Sequence, residues 1–165
     1  MLRESIELPK PMTDYAVKLL EHVKWHGVAM VEFKVDKTSK IPRLMEINGR
    51  FWGSLQLAID AGLNIPYLLY QMTSGLPVAV PNNAYHIGTR SRWLLGDLDH
   101  LLLRLTRSNV ALHLGPEVPS RWRCLAEFAR LFQRDQHYEV ESLSDPRPAL
   151  VEYRAWISQL VGGAR

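Results

Sequence analysis

The sequence predicts an α+β fold: an antiparallel β-hairpin with helices packed on it, followed by a helix-rich C-terminal segment. Three observations carry that expectation. VAMVEFKVD (28–36), rich in β-branched residues, and RLMEIN (43–48), read as a second strand, flank a short turn, KTSKIP. Apolar residues at helical spacing precede and follow them. The clearest strand pair is therefore a hairpin, which favours segregated layers over a doubly wound parallel sheet. The 165 residues suit one ordinary domain. Residues 1–80 form the hairpin-bearing subdomain, and 81–165 form a helix-rich extension packed on the same domain.

Pro9 and Pro11 punctuate the start, and Thr13 is placed to cap a helix with Asp14 in its first turn. Ala16, Leu19, Leu20 and Val23 make one apolar stripe, His22, Lys24 and His26 crowd the last turn, and Gly27 is the expected stop. After the hairpin, GLNIP divides two helices, about 53–61 and 66–74, the second with Pro66 in its first turn. YHIGTRSRW reads as a strand with Arg90 and Arg92 on one face. Helices follow near 96–107 and 120–133, then a short strand in HYEVESL, and a last helix through DPRPALVEYRAWISQLVGG.

Composition narrows the function classes. Twenty Lys and Arg against seventeen Asp and Glu leave +3, too small an excess to argue for nucleic acid. The balance is even along the chain, nine basic to eight acidic residues before position 90 and eleven to nine from there on. Cys124 is the single cysteine, which excludes an internal disulfide and a cysteine zinc site and fits a reducing compartment. No apolar run approaches the roughly 18 residues of a membrane span, and MLRESIELPKP carries charge where a signal peptide needs an apolar core. The expectation is a cytoplasmic protein with no membrane partner.

The informative segment is the hairpin. Folded symmetrically about Ser39, it sets Phe33 opposite Met45 and Val31 opposite Ile47, one apolar side for the core. The other side sets Glu32 opposite Glu46, with Asn48 two residues along on the same face. Like charges directly opposite in a sheet destabilise it by a few tenths to about 1 kcal/mol. A divalent cation between them removes the conflict, and Glu, Glu and Asn offer only oxygen, the ligand set of a hard ion such as Mg²⁺ or Mn²⁺. Arg50 would place a fixed cation beside any anion on that metal. The competing reading is a solvated polar ribbon in which Lys34 and Lys40 pair with the glutamates.

GVAMVEFKVD…RLMEINGRFWGSLQLAIDAGLNIPYLLYQMTSGLPV resembles the C-terminal part of the ATP-grasp superfamily of carboxylate–amine ligases, nearest to its carbamoyl-phosphate-synthetase-like branch, over residues 14–80. The family motif, an acidic or amide residue on one strand and Glu-x-Asn-x-Arg on the next, falls on Glu32 and on Glu46-Ile47-Asn48-Gly49-Arg50. The resemblance implies that Glu32, Glu46 and Asn48 hold Mg²⁺ (or Mn²⁺) against ATP. It implies that Arg50, the catalytic position, joins them in cofactor binding and steadies a phosphorylated intermediate. It implies the ATP- and Mg-binding half of a ligase that turns a carboxylate into an acyl phosphate for attack by an amine. The glycine-rich loop and paired lysines of the family are absent here, as are GxxxxGK and GxGxxG, so they are expected upstream of Met1 and the chain is not expected to act alone. The expected partners are nucleotide, carboxylate and amine, with the missing N-terminal subdomain or a second copy. The alternative is a non-catalytic module derived from such a ligase that self-associates or binds a partner.

Other candidates are weaker. HVKWH places His22 and His26 at i, i+4 without the glutamate of HExxH. Gly53-Ser54 lacks the surroundings of a nucleophile elbow. Cys124 falls on the apolar side of its helix, as a structural thiol does. Arg121, Arg123, Arg130 and Arg134 form a basic face that Glu127 and Asp135 interrupt, as expected of a solvated one.

Overall fold

The computed structural model describes residues 2–78, 85–115, 118–131 and 135–162, and these form five strands and six helices. In chain order they are β1 (Leu2–Glu4), α1 (Lys10–His22), β2 (Met30–Val35), β3 (Pro42–Asn48), α2 (Leu55–Asp60), α3 (Ile65–Thr73), β4 (Arg90–Arg92), α4 (Leu94–Thr106), α5 (Arg121–Ala129), β5 (Gln136–Tyr138) and α6 (Arg147–Val161). The mixed α+β composition is as expected. The chain divides into two units, a hairpin unit (Glu4–Thr89) and a C-terminal unit (Met1–Arg3 with Arg90–Arg165). The junction at 80/81 expected from the sequence lies outside the described residues, as does Arg134 of the basic face.

In the hairpin unit α1 starts and stops earlier than its sequence suggests. Pro9 is the N-cap and Pro11 lies in the first turn, where a missing N–H is tolerated. Thr13 is therefore not a cap, and its hydroxyl donates back to the Pro9 carbonyl at 3.3 Å. The helix ends at His22, and Lys24, not Gly27, takes the left-handed turn after it, at φ 51°. The Trp25 and Lys24 amides then close on the carbonyls of Leu20 and Glu21, the double bond of a Schellman end. His26 is thus off the helix, which removes the i, i+4 helical spacing of His22 and His26.

The next two helices carry cleaner signals. Gly62 follows α2 at φ 102°, and the Leu63 amide reaches the Ala58 carbonyl at 2.8 Å. Asn64 then caps α3 by accepting from the Tyr67 amide at 3.0 Å. Ser5 closes the unit on Thr89, its amide donating to the Thr89 carbonyl at 2.9 Å.

In the C-terminal unit β1, β4 and β5 form a small sheet with β4 in the centre and β5 parallel to it. β4 falls within the strand expected in YHIGTRSRW and β5 overlaps the one expected in HYEVESL, whereas β1 and the parallel pairing had no signal in the sequence. Strands of three residues carry too little periodicity, and their pairing joins segments far apart in the chain. Arg3 ion-pairs with Glu139 in this unit. Around the sheet α4, α5 and α6 bury Leu95, Leu101, Cys124 and Ala149. Trp156 donates to Asp99 at 2.9 Å and Trp93 to Glu152 at 2.9 Å.

Candidate metal and phosphate site on the hairpin

The open end of the hairpin keeps the expected register. Met30 pairs with Asn48, Val31 with Ile47 and Glu32 with Glu46. The turn end does not. A bulge between Glu32 and Phe33 shifts the ladder by one, so Phe33 faces Leu44 rather than Met45. The physical reason is in the sequence: Leu44 and Met45 are consecutive apolar residues between Arg43 and Glu46, and they break the period-2 alternation. Leaving Met45 unpaired restores alternation on both sides. Phe33 and Leu44 share the apolar side, and Lys34 meets Arg43 on the polar side next to the paired glutamates.

The turn is built by Asp36. Its Oδ1 accepts from the Thr38 amide at 3.0 Å, the Ser39 amide at 2.7 Å and the Ser39 hydroxyl at 2.9 Å. The Ser39 amide bond, above all, holds the Asp36 carboxyl below the usual carboxylate range. The apolar side of the hairpin meets α1 along a groove of about 520 Å³ lined by Tyr15, Leu19, His22, Phe33, Pro42 and Leu44 among others.

Glu32 and Glu46 are both exposed and directly opposite. Asn48 Nδ2 donates to Glu46 Oε1 at 2.6 Å, which ties the amide to the carboxylate pair and leaves its oxygen as a donor for a cation. No ion pair among the described residues joins Lys34 or Lys40 to either glutamate, so the pairing that a solvated ribbon invites is not made. Arg50 lies two residues past the strand and donates to the Phe51 carbonyl at 3.0 Å. It makes no hydrogen bond to Glu32, Glu46 or Asn48 among the described residues. The described residues hold no cluster of three or more His, Cys, Asp and Glu fit for a metal. The set here is two carboxylates and an amide, and its all-oxygen chemistry fits a hard divalent cation.

Sequence reasoning missed Trp25. Its ring lies over Gly49, between Asn48 and Arg50, so closely that a Cβ on Gly49 would come within 2.3 Å of it. The Trp25 indole N–H is anchored on the Val28 carbonyl at 3.2 Å. The glycine of EINGR is thus required by a close approach, and the early end of α1 delivers the tryptophan that makes it. A lone tryptophan after a helix gives no such signal in sequence.

Elsewhere Cys124 is buried, as expected, and Arg123 pairs with Glu127 at 2.9 Å on an exposed helix face. No described helix is long and apolar enough to cross a membrane. A family model described as "ATP-grasp in the biosynthetic pathway with Ter operon" matches residues 2–94, more than half of the chain. No curated protein and no solved structure matches the chain.

Proposed function

The chain belongs to the ATP-grasp family, an ATP-dependent ligase-type domain, and from that premise we propose that the hairpin is its Mg²⁺- and phosphate-binding face. The observation that carries this reading is the Glu32–Glu46 register pair with Asn48 bonded to it. We place the chain with the C-terminal subdomain of the fold, nearest the carbamoyl-phosphate-synthetase-like branch, on the strength of EINGR and the helices after it. The nucleotide-binding subdomain, or a second copy, would cover the apolar residues this unit leaves at its surface, among them Met45 and Phe51.

Glu32, Glu46 and Asn48 would hold the cation, Mg²⁺ or Mn²⁺, through oxygen. Bound there, it supplies charge neutralisation on the phosphate oxygens of ATP during phosphoryl transfer. A substrate carboxylate oxygen takes the γ-phosphoryl group, giving an acyl phosphate and ADP. An amine then attacks the acyl carbon, phosphate leaves, and the amine proton passes to solvent. Arg50, a permanent cation two residues from Asn48, stabilises the anionic charge of the acyl phosphate and of the tetrahedral species formed from it. Lys34 and Arg43, brought together by the bulge, add positive charge on the same face for the phosphate chain.

Carboxylate-dependent ADP formation by the complete enzyme tests the reading. Glu46→Gln keeps the shape of the side chain and is expected to lower the rate by roughly 100-fold or more, with unchanged circular dichroism. A wild-type rate in a folded Glu46→Gln enzyme contradicts it.

A further inference from the structure

The C-terminal unit contains a cavity of about 490 Å³ to which the hairpin motif contributes nothing. Twelve of the fifteen residues lining it lie beyond residue 94, outside the span matched by the family model. Arg90, Arg92, Arg104 and Arg130 line it, against two carboxylates, Asp97 and Glu127. Arg92, 4% exposed, is answered in full. Its Nε pairs with Asp97 Oδ2 at 2.5 Å, and its two Nη atoms donate to the carbonyls of Arg130 and Phe128 at 3.0 and 3.1 Å.

Arg104 differs. It is 3% exposed, and its Nη atoms donate to Asn109 Oδ1 and the Pro119 carbonyl, each at 2.7 Å. Both partners are neutral. The C-terminal end of α4 beside it supplies at most about half a unit of negative charge. Glu127 is engaged by Arg123. A buried guanidinium therefore borders the cavity with no ion pair of its own among the described residues, since the two carboxylates of the wall are engaged by Arg92 and Arg123, and an anion entering the cavity would complete it. Apart from His100 and Gln136 the rest of the wall is apolar, including Leu101, Leu114, Val118 and Phe128.

We propose that this cavity binds a small organic oxyanion, a carboxylate or a phosphate ester with an apolar or aromatic body, through Arg104. The charged head pairs with the guanidinium, and the body rests on the leucines and Phe128. The inference is independent of the hairpin reading and stands or falls without it.

The test is a titration of the isotopically labelled full chain with phenyl phosphate and with benzoate, followed by amide chemical shifts. Saturable shifts at Leu101, Cys124 and Phe128 are expected for at least one probe at about millimolar affinity or better. Whichever probe binds more tightly identifies the head group. Cys124, the one thiol of the chain, lines the cavity, and its reaction with a thiol reagent is expected to slow when the probe is bound. Arg104→Gln is expected to weaken binding by about 10-fold. Should that variant not fold, Arg130→Gln at the exposed rim is expected to weaken it about threefold without loss of structure. No saturable shift of these residues with either probe, or wild-type affinity in a folded arginine variant, overturns the proposal.

Discussion

The two units handle charge in opposite ways. In the hairpin unit the charged groups of the candidate site are at the surface: Glu32, Glu46 and Arg50 are exposed, and strand register sets the two glutamates side by side. In the C-terminal unit Arg92 and Arg104 are almost wholly buried and are placed by hydrogen bonds to a carboxylate, an amide and backbone carbonyls. The cores differ likewise. Leu95, Leu101, Cys124 and Ala149 are buried in the C-terminal unit, whereas Ala61 is the one buried apolar side chain described in the hairpin unit. The lesson is that a water-facing ribbon can hold like charges together at small expense because solvent screens them, ready for a ligand that neutralises both. A buried cation must be matched at once by the fold, or by something that enters.

The largest stability effect is therefore expected in the C-terminal unit. Asp97→Asn removes the countercharge of a buried arginine and is expected to destabilise the unit by about 3 kcal/mol in denaturant unfolding. Glu32→Gln, by contrast, relieves a repulsion and is expected to leave stability equal to or above wild type by a few tenths of a kcal/mol. A large loss in Glu32→Gln, or none in Asp97→Asn, breaks the comparison. Gly49→Ala sets a methyl group against the Trp25 ring and is expected to destabilise the hairpin unit by about 1–2 kcal/mol. Trp25→Ala in the same chain should recover most of that loss if the ring is its cause. Lys24→Gly, which removes the strain of a left-handed lysine, is expected to stabilise by about 0.5–1 kcal/mol.

The smallest effects are in pH. Asp36 has a lowered pKa when folded, so its support of the turn is present above the ordinary carboxylate range and is lost as pH falls through its folded value. Acid should thus loosen the 36–41 turn, as read from the Thr38 and Ser39 amide signals. Tyr153 is the reverse case. Burial, then its hydrogen bond to Glu141, raises its pKa, so its contribution is whole below the ordinary tyrosine value near 10 and declines as pH climbs above it. Alkaline loosening should begin in the C-terminal unit, at α6.

What the sequence made legible follows the same division. Periodicity and Glu-x-Asn-x-Arg spacing revealed the hairpin, its glutamate pair and the helices after it, because these are local patterns. The bulge at Met45 was missed: a symmetric hairpin sets Phe33 on Met45, and only the doubled apolar Leu44-Met45 marks where the alternation breaks. The contact of Trp25 with Gly49 and the burial of Arg104 were not legible. Both depend on where a chain passes after leaving a helix, which no short window encodes. The early ends of α1 have a simpler source: prolines admitted to a first turn, and a lysine accepting a conformation usually left to glycine.

The most direct test of the central claim uses Mn²⁺ as a paramagnetic substitute for Mg²⁺, followed through amide relaxation in the full chain. Saturable broadening centred on Glu32, Glu46 and Asn48, displaced by Mg²⁺ and lost in Glu46→Gln, is the predicted result. Broadening spread evenly over the acidic surface, or unchanged in Glu46→Gln, would contradict the assignment of the hairpin as a metal and phosphate site.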